Sequence, residues 1–198
     1  MKTAINGLAR VIAFAALLVG AAAASAQWEL DGARSSVNFI SVKNDSVAEL
    51  HHFGSLQGSL GKDGNARLTI SLDSVETLIP IRNERMREML FETVTFPTAT
   101  VSATVAPELV ASLAGGAAVD TDLTFTLALH GVEKSFTVPV VVTAEKSGGL
   151  QVFTPAPVIV NAADFGLQAG VAALQSVASL KAISTAVPVS VHLVFKPS

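Results

Sequence analysis

The stretch "DLTFTLALHGVEKSFTVPVVV", residues 122–142, decides the fold. Apolar and polar residues alternate on both sides of His130-Gly131. The apolar set before the turn is Leu123, Phe125, Leu127 and Leu129, and the set after it is Phe136, Val138, Val140 and Val142. Successive side chains of a strand point to opposite faces of the sheet, so each half is a strand with one apolar face. The stretch therefore predicts an antiparallel hairpin with a turn at His130-Gly131.

The same period-two pattern continues on both sides of this hairpin. "ARLTISLDSV" (66–75) places Leu68 and Ile70 on one face, and "PTATVSATV" (97–105) does the same for Val101 and Ala103. Further alternating segments cover 36–43, 46–53 and 184–195. Only two segments have helical spacing, 81–91 and 170–180. Many short strands with two short helices predict one all-β antiparallel domain, a barrel or a sandwich.

The N-terminal residues have the pattern of a secretory signal peptide. Lys2 and Arg10 flank the start of an apolar run, 11–19, and small residues lead to Ala24-Ser25-Ala26. We expect cleavage after Ala26, a mature domain of residues 27–198 and a periplasmic location. The alternative is an uncleaved anchor, although a membrane span usually needs about 20 apolar residues.

Charge and composition limit the function classes. The chain has 16 acidic and 13 basic residues, and the predicted signal segment removes only basic ones. An acidic surface argues against nucleic acid, and no basic tail is present to hold an anionic membrane. The chain has no cysteine, so disulfides and thiolate chemistry are excluded.

No motif for catalysis or metal binding stands out. Histidines 51 and 52 point to opposite faces of one strand, so we expect His52 to pack at the strand end and His51 to be solvated. A metal site would need one of them to meet His130 or His192 across strands. Asp164 has no evident partner and fits a turn-capping role better than that of a catalytic acid. With no nucleophile–base pair in the sequence, we expect no enzyme, metal or cofactor.

Five motifs, in order, resemble those of one family. They are Ser74-Val75-Glu76-Thr77, Arg82 to Met86, Phe91 with Phe96-Pro97, Leu127 to Lys134, and Asn161 to Leu167, and an early Trp28 with Ser36-Val37 and Phe39 also fits. Together they resemble the YceI-like family, periplasmic proteins with a lipocalin-like barrel that bind polyisoprenoids. Three positions depart from the family's pattern, with Asn83 in place of Asp, Ala162 in place of Arg and Ala128 in place of Thr.

The resemblance implies an antiparallel, lipocalin-like barrel of about eight strands that holds an isoprenoid lipid, of polyprenyl or quinone type, in an apolar lumen. A barrel of this size can hold one slender ligand or fill with side chains. An isoprenoid chain offers apolar surface, whose burial contributes about 25 cal/mol per Å². The alternative is a non-catalytic structural or interaction domain with a packed core. A homodimer is compatible with the sequence, whereas stable membrane insertion after cleavage is not expected.

The predicted lumen residues come from the apolar strand faces and the first helical segment. They are Phe39, Phe53, Leu68, Ile70, Met86, Met89, Leu90, Phe91, Val101, Ala103, Phe125, Leu127 and Phe165. Arg82 and Arg85 are expected at the barrel mouth, where a guanidinium suits a polar or phosphate head group. In the alternative, segment 81–91 seals the closed end and its arginines are solvated or pair with Glu84, Glu88 and Glu92.

Overall fold

A computed structural model describes residues 26–112 and 118–198. All of the predicted signal peptide except its last residue, Ala26, lies outside these ranges. Within the described ranges, no helix combines the length and the apolar content needed to span a membrane.

Twelve strand segments form one sheet. They are β1 (Ala26–Leu30), β2 (Ser36–Lys43), β3 (Val47–Phe53), β4 (Leu56–Gly61), β5 (Asn65–Ser71), β6 (Val75–Glu76), β7 (Thr98–Thr104), β8 (Ala118–Leu129), β9 (Val132–Ala144), β10 (Leu150–Phe153), β11 (Val158–Asn161) and β12 (Ala186–Pro197).

The sheet closes into a barrel of eight antiparallel strands. Four barrel strands consist of two segments each, because β1–β2, β3–β4, β5–β6 and β10–β11 are each interrupted by a short irregularity. Closure occurs where β1 pairs with β12, with Trp28 opposite Pro197 and Leu30 opposite Phe195. The predicted all-β barrel is confirmed.

The hairpin predicted over residues 122–142 is β8–β9. Leu129 pairs with Val132, so the turn contains only two residues. His130 and Gly131 have positive φ angles of 52° and 76°. Two consecutive left-handed residues give a turn whose twist matches that of the flanking strands, and this explains the glycine. His130 is a turn residue, as predicted.

Helical segments cover the two ends of the barrel. At one end, α1 (Pro80–Arg85) runs directly into a π-helical turn (Met86–Phe91), and that turn packs beside α3 (Gln168–Val177). At the other end lies α2 (Pro107–Ser112), which the sequence analysis did not predict. Two 3₁₀ turns, Leu72–Ser74 and Ala162–Phe165, complete the described helical structure.

The α3 helix approaches its neighbour closely because of a glycine. A Cβ atom added at Gly170 would lie 2.6 Å from the carbonyl oxygen of Met89 and 2.8 Å from the Cα of Leu90. Only a residue without a side chain allows this backbone-to-backbone contact. Gly170 thus fixes α3 against the π-helical turn, and the two together cover one end of the barrel.

Candidate ligand cavities

The barrel encloses an apolar cavity of about 420 Å³ at the end covered by α3, here called the α3-end cavity. Three phenylalanines form part of its wall, Phe39, Phe53 and Phe91. The ring centroids of Phe39 and Phe53 are 5.3 Å apart, and those of Phe53 and Phe91 are 5.9 Å apart. Met86 and Leu90 from the helical segment also line it. Such a wall offers large apolar contact area and no directional group.

One side of this cavity is polar. His51 is only 3% exposed, and its Nε2 lies 2.8 Å from the hydroxyl oxygen of Ser41. Its Nδ1 is buried and has no hydrogen-bond partner among the described residues. Burial lowers the pKa of His51, and the nearby positive charge of Arg82 lowers it further. The free ring nitrogen of a neutral imidazole can form one hydrogen bond with a polar group in the cavity.

An ion-pair cluster lies next to His51. The carboxylate of Glu49 is 2.8 Å from Lys43 Nζ and 2.7 Å from Arg82 Nη1. The hydrogen bond from Lys43 lowers the pKa of Glu49, and the charge of Arg82 acts in the same direction. Arg85 also lines the cavity, so three cations and one carboxylate border it. The excess of positive charge suits an electron-rich head group.

Arg82 is held in place by the chain that precedes its helix. Its Nη2 donates to the carbonyl of Thr77 at 2.6 Å, while its Nε is buried with no partner among the described residues. Pro80 begins α1 in the first-turn position, where its missing N–H costs nothing. The side-chain oxygen of Asn83 accepts hydrogen bonds from the Thr77 N–H and hydroxyl.

A second, smaller cavity of about 160 Å³ lies at the other end of the barrel, under α2, and is called the α2-end cavity. Leu68, Val101, Ala103 and Phe125 line it, together with Leu109 from α2. The two cavities share no lining residue. Phe165, which is 0% exposed, belongs to the packed core and lines neither cavity.

A family model described as the YceI-like domain matches residues 28–195. The chain belongs to the YceI-like family. No curated protein matches it.

Solved structures agree with the YceI-like fold. A polyisoprenoid binding domain from Saccharophagus degradans, described as implicated in plant cell wall breakdown, is 39% identical, with a TM-score of 0.85. The match covers 88% of this chain and 100% of that one. BcnA of Burkholderia cenocepacia is 23% identical over 83% of this chain and 98% of its own, with a TM-score of 0.63. At 23% identity, this likeness supports the fold alone.

The structure divides the predicted lumen residues of this YceI-like chain into three groups. Phe39, Phe53, Met86, Leu90, Phe91, Arg82 and Arg85 border the α3-end cavity, whereas Leu68, Val101, Ala103 and Phe125 border the α2-end cavity. Ile70, Leu127 and Phe165 face inward but belong to the packed core and line neither cavity. Met89 also lines neither, because it lies where the helical segment meets α3 and is half-buried.

The expectation for the paired histidines of the YceI-like chain is wrong. His51 is buried against the cavity and His52 is exposed, the reverse of the prediction. On β3, Glu49, His51 and Phe53 share the inward face, whereas His52 points outward beside Glu76. The period-two rule, applied from Phe53, would have placed His51 correctly and would have identified Glu49 as a wall residue. Lys43 and Ser41 share the inward face of β2 in the same way.

The structure also brings a serine and a histidine together, which the sequence analysis did not foresee. Ser41 and His51 form the hydrogen bond described above, but His51 Nδ1 has no acidic partner to orient the ring. A catalytic Ser–His pair needs that third group to hold the tautomer and the imidazolium. The pair therefore fits a polar anchor in the wall better than a nucleophile. The described residues contain no cluster of three metal-ligating side chains.

Two of the departures from the family's pattern lie at or next to the α3-end cavity, because Ala162 lines it and Asn83 follows the lining residue Arg82. Asn83 is buried and joins Thr77 to Glu76 through its side-chain amide. Ala162, where the resemblance implies arginine, lines the α3-end cavity. The smaller alanine leaves space there and removes one cation. Ala128 lies on β8 opposite Thr100 and Glu133, away from both cavities.

Proposed function

We propose that this YceI-like chain is a non-catalytic carrier that holds an isoprenoid lipid inside its barrel. The observation that carries the proposal is the α3-end cavity, which is walled by phenylalanine, methionine and aliphatic side chains. Its volume of about 420 Å³ falls within the roughly 300–1,000 Å³ typical of ligand sites. The similar domain from Saccharophagus degradans, described as polyisoprenoid binding, supports the same ligand class.

The polar side of the cavity indicates where the ligand's head lies. An isoprenoid tail would contact the apolar wall, and a quinone carbonyl or a polyprenyl oxygen would meet Ser41, His51 and Arg82. The free ring nitrogen of His51 and the free Nε of Arg82 are the groups that gain most from such a partner, because buried unpaired polar groups are costly. We propose polyprenyl or quinone-type lipids on this basis, with periplasmic export as the cellular setting.

Native mass spectrometry of the purified protein, followed by organic extraction, tests the ligand. We expect a bound mass that the extract identifies as an isoprenoid. Val189→Phe, on the inward wall of the α3-end cavity, should reduce the retained lipid. Ser190→Phe is the matched control, because Ser190 is the exposed neighbour on the same strand. A protein that carries no lipid, and that takes up neither a polyprenyl alcohol nor a quinone when offered, would contradict the proposal.

A further inference from the structure

The exposed apolar side chains are distributed unevenly over the barrel. Among the described residues, seven of the eight exposed large apolar side chains lie in the half that carries α3, and the eighth, Ile159, lies between the two halves, because Val158 lines the α2-end cavity and Val160 the α3-end cavity. The eight are Val47, Leu50, Leu78, Ile79, Ile81, Val94, Ile159 and Val177. The α2 end has none in the described ranges. Isolated exposed apolar residues are ordinary, but a concentration of them on one face marks an interaction surface.

Most of this group surrounds the mouth of the α3-end cavity. Ile79, Ile81 and Val177 line the cavity and are also exposed to solvent, so they form its rim. Leu78 precedes Ile79 in the chain. On β3, Val47 pairs with the lining residue Lys43, whereas Leu50 follows the inward-facing Glu49 and therefore points to the outer face. An apolar rim is thus continuous with an apolar cavity.

Leu78 is the clearest case. It is 85% exposed and has a left-handed φ angle of 63°, which a leucine adopts at a cost that glycine or asparagine avoids. Its N–H donates to the Glu76 carboxylate, and Asn83 Nδ2 donates to the same oxygen at 3.0 Å. Buried Asn83 therefore holds the backbone in a conformation that points a large apolar side chain into solvent.

We infer that the rim of the α3-end cavity, Leu78, Ile79, Ile81 and Val177, docks on the surface of a phospholipid bilayer without spanning it. The inference rests on the proposed function, because an isoprenoid is insoluble in water and must enter the cavity from a membrane. Apolar side chains around a lipid cavity's mouth bury themselves among the acyl chains and let the ligand pass without crossing water. Arg85 lines the same cavity and suits a phosphate head group, whereas Lys43 and Arg82 are paired with Glu49. Glu84 and Glu88 face outward on the same helical segment, so the expected preference for anionic vesicles is modest.

Vesicle flotation of the purified protein tests the docking. The probes are vesicles of phosphatidylcholine and vesicles of equimolar phosphatidylethanolamine and phosphatidylglycerol. We expect the protein to float with both, and Leu78→Asn to lower the partition coefficient by about tenfold, since burial of one leucine contributes on that order. Leu78→Asn should also melt at a higher temperature, because asparagine tolerates the left-handed backbone. If Leu78 served only to stabilise the fold, its replacement would not weaken flotation while raising the melting temperature.

Ile81→Asn and Ile159→Asn form a matched pair, because the two isoleucines are 51% and 57% exposed but Ile159 lies on the outer wall. Only Ile81→Asn should weaken flotation. Failure of the wild type to float, or equal weakening by both variants, overturns the inference. The inference is also overturned if the wild type sediments as a dimer and Leu78→Asn sediments as a monomer, because the rim would then be an interface between two copies of the chain. If the protein retains lipid but does not float, the carrier function is supported and membrane docking is contradicted.

Discussion

The side-chain oxygen of buried Asn83 accepts two hydrogen bonds from Thr77, one from its N–H at 2.9 Å and one from its hydroxyl at 2.6 Å. The amide nitrogen of Asn83 donates to Glu76. This single side chain ties the end of β6 to the start of α1. It thereby fixes both the position of Arg82 in the α3-end cavity and the exposed position of Leu78.

Asn83→Asp, which restores the residue implied by the family's pattern, should destabilise this protein. The new carboxylate keeps the bonds from Thr77 but loses the donor to Glu76 and places two carboxylates in contact. Loss of the buried hydrogen bond should cost about 1 kcal/mol or more in urea unfolding at neutral pH. Glu76→Gln in the same chain should restore stability. Asn161→Asp, whose oxygen accepts only from the Ala163 N–H, is the control and should change little. An unchanged midpoint for Asn83→Asp would contradict the role given to Asn83.

His51 should make stability depend on pH in a defined window. Burial lowers its pKa in the folded state below the ordinary value of 6.5, so the unfolded chain binds the proton first as the pH falls. The stabilisation that neutral His51 contributes is complete above pH 6.5, and it is lost progressively as the pH falls toward the lowered pKa of His51 in the folded state. His51→Gln should flatten this part of the profile, measured as melting temperature against pH. The lowered pKa values of Glu49 and Glu76 affect stability only below about pH 4.5, so the loss caused by His51 begins at a higher pH than theirs. A profile identical to that of the wild type would exclude His51 as the cause.

Gly170→Ala should destabilise the protein although it replaces glycine inside a helix. Without tertiary contacts this change stabilises a helix by roughly 0.5–1 kcal/mol. Here the added methyl group would overlap the backbone of Met89 and Leu90. We expect a lower melting temperature and reduced lipid retention, because α3 must move from the cavity. A rise in melting temperature would show that the helices separate at little cost.

Ala103→Phe distinguishes a ligand-holding barrel from a packed one. Ala103 borders the α2-end cavity, which has space for part of the ring. In a fully packed core the same change would cost roughly 1–3 kcal/mol. The lipid proposed above lies in the α3-end cavity, which shares no lining residue with this one, so we expect lipid retention and melting temperature to stay near the wild-type values. Ser102→Phe on the exposed face should behave in the same way. A large fall in melting temperature would favour the packed domain, and lost lipid with a normal melting temperature would show that the ligand also occupies the α2-end cavity.

N-terminal sequencing of the exported protein tests the predicted signal peptide. The small residues Ala24-Ser25-Ala26 make Gln27 the expected first residue. Cell fractionation should place the processed form in the periplasm. Protein recovered from that fraction with Met1 still present would contradict cleavage and favour the anchored alternative.

Alternation predicted the inward faces well because barrel strands obey a strict period of two. Leu68 and Phe125 are inward for that reason. The same rule, applied from Phe53, places His51 on the inward face, whereas the prediction had His52 packed and His51 solvated. Phe165 lies in the packed core and not in either cavity, because a 3₁₀ turn carries it there. Such a position depends on tertiary packing, so no local pattern specifies it. Met89 was misplaced because the expected α-helix becomes a π-helical turn at Met86, which rotates later side chains relative to regular spacing.

The pairing of Trp28 with Pro197 has a consequence for how the chain folds. The hairpin β8–β9 joins residues close in sequence and can form early, whereas β1 meets β12 only after almost the whole described chain has been arranged. Contacts of such long sequence separation require a large loss of chain entropy before they yield any stabilisation, so they slow folding. Ring closure is therefore the late step. Until β12 is in place, the first strand presents an open edge on which another chain can pair.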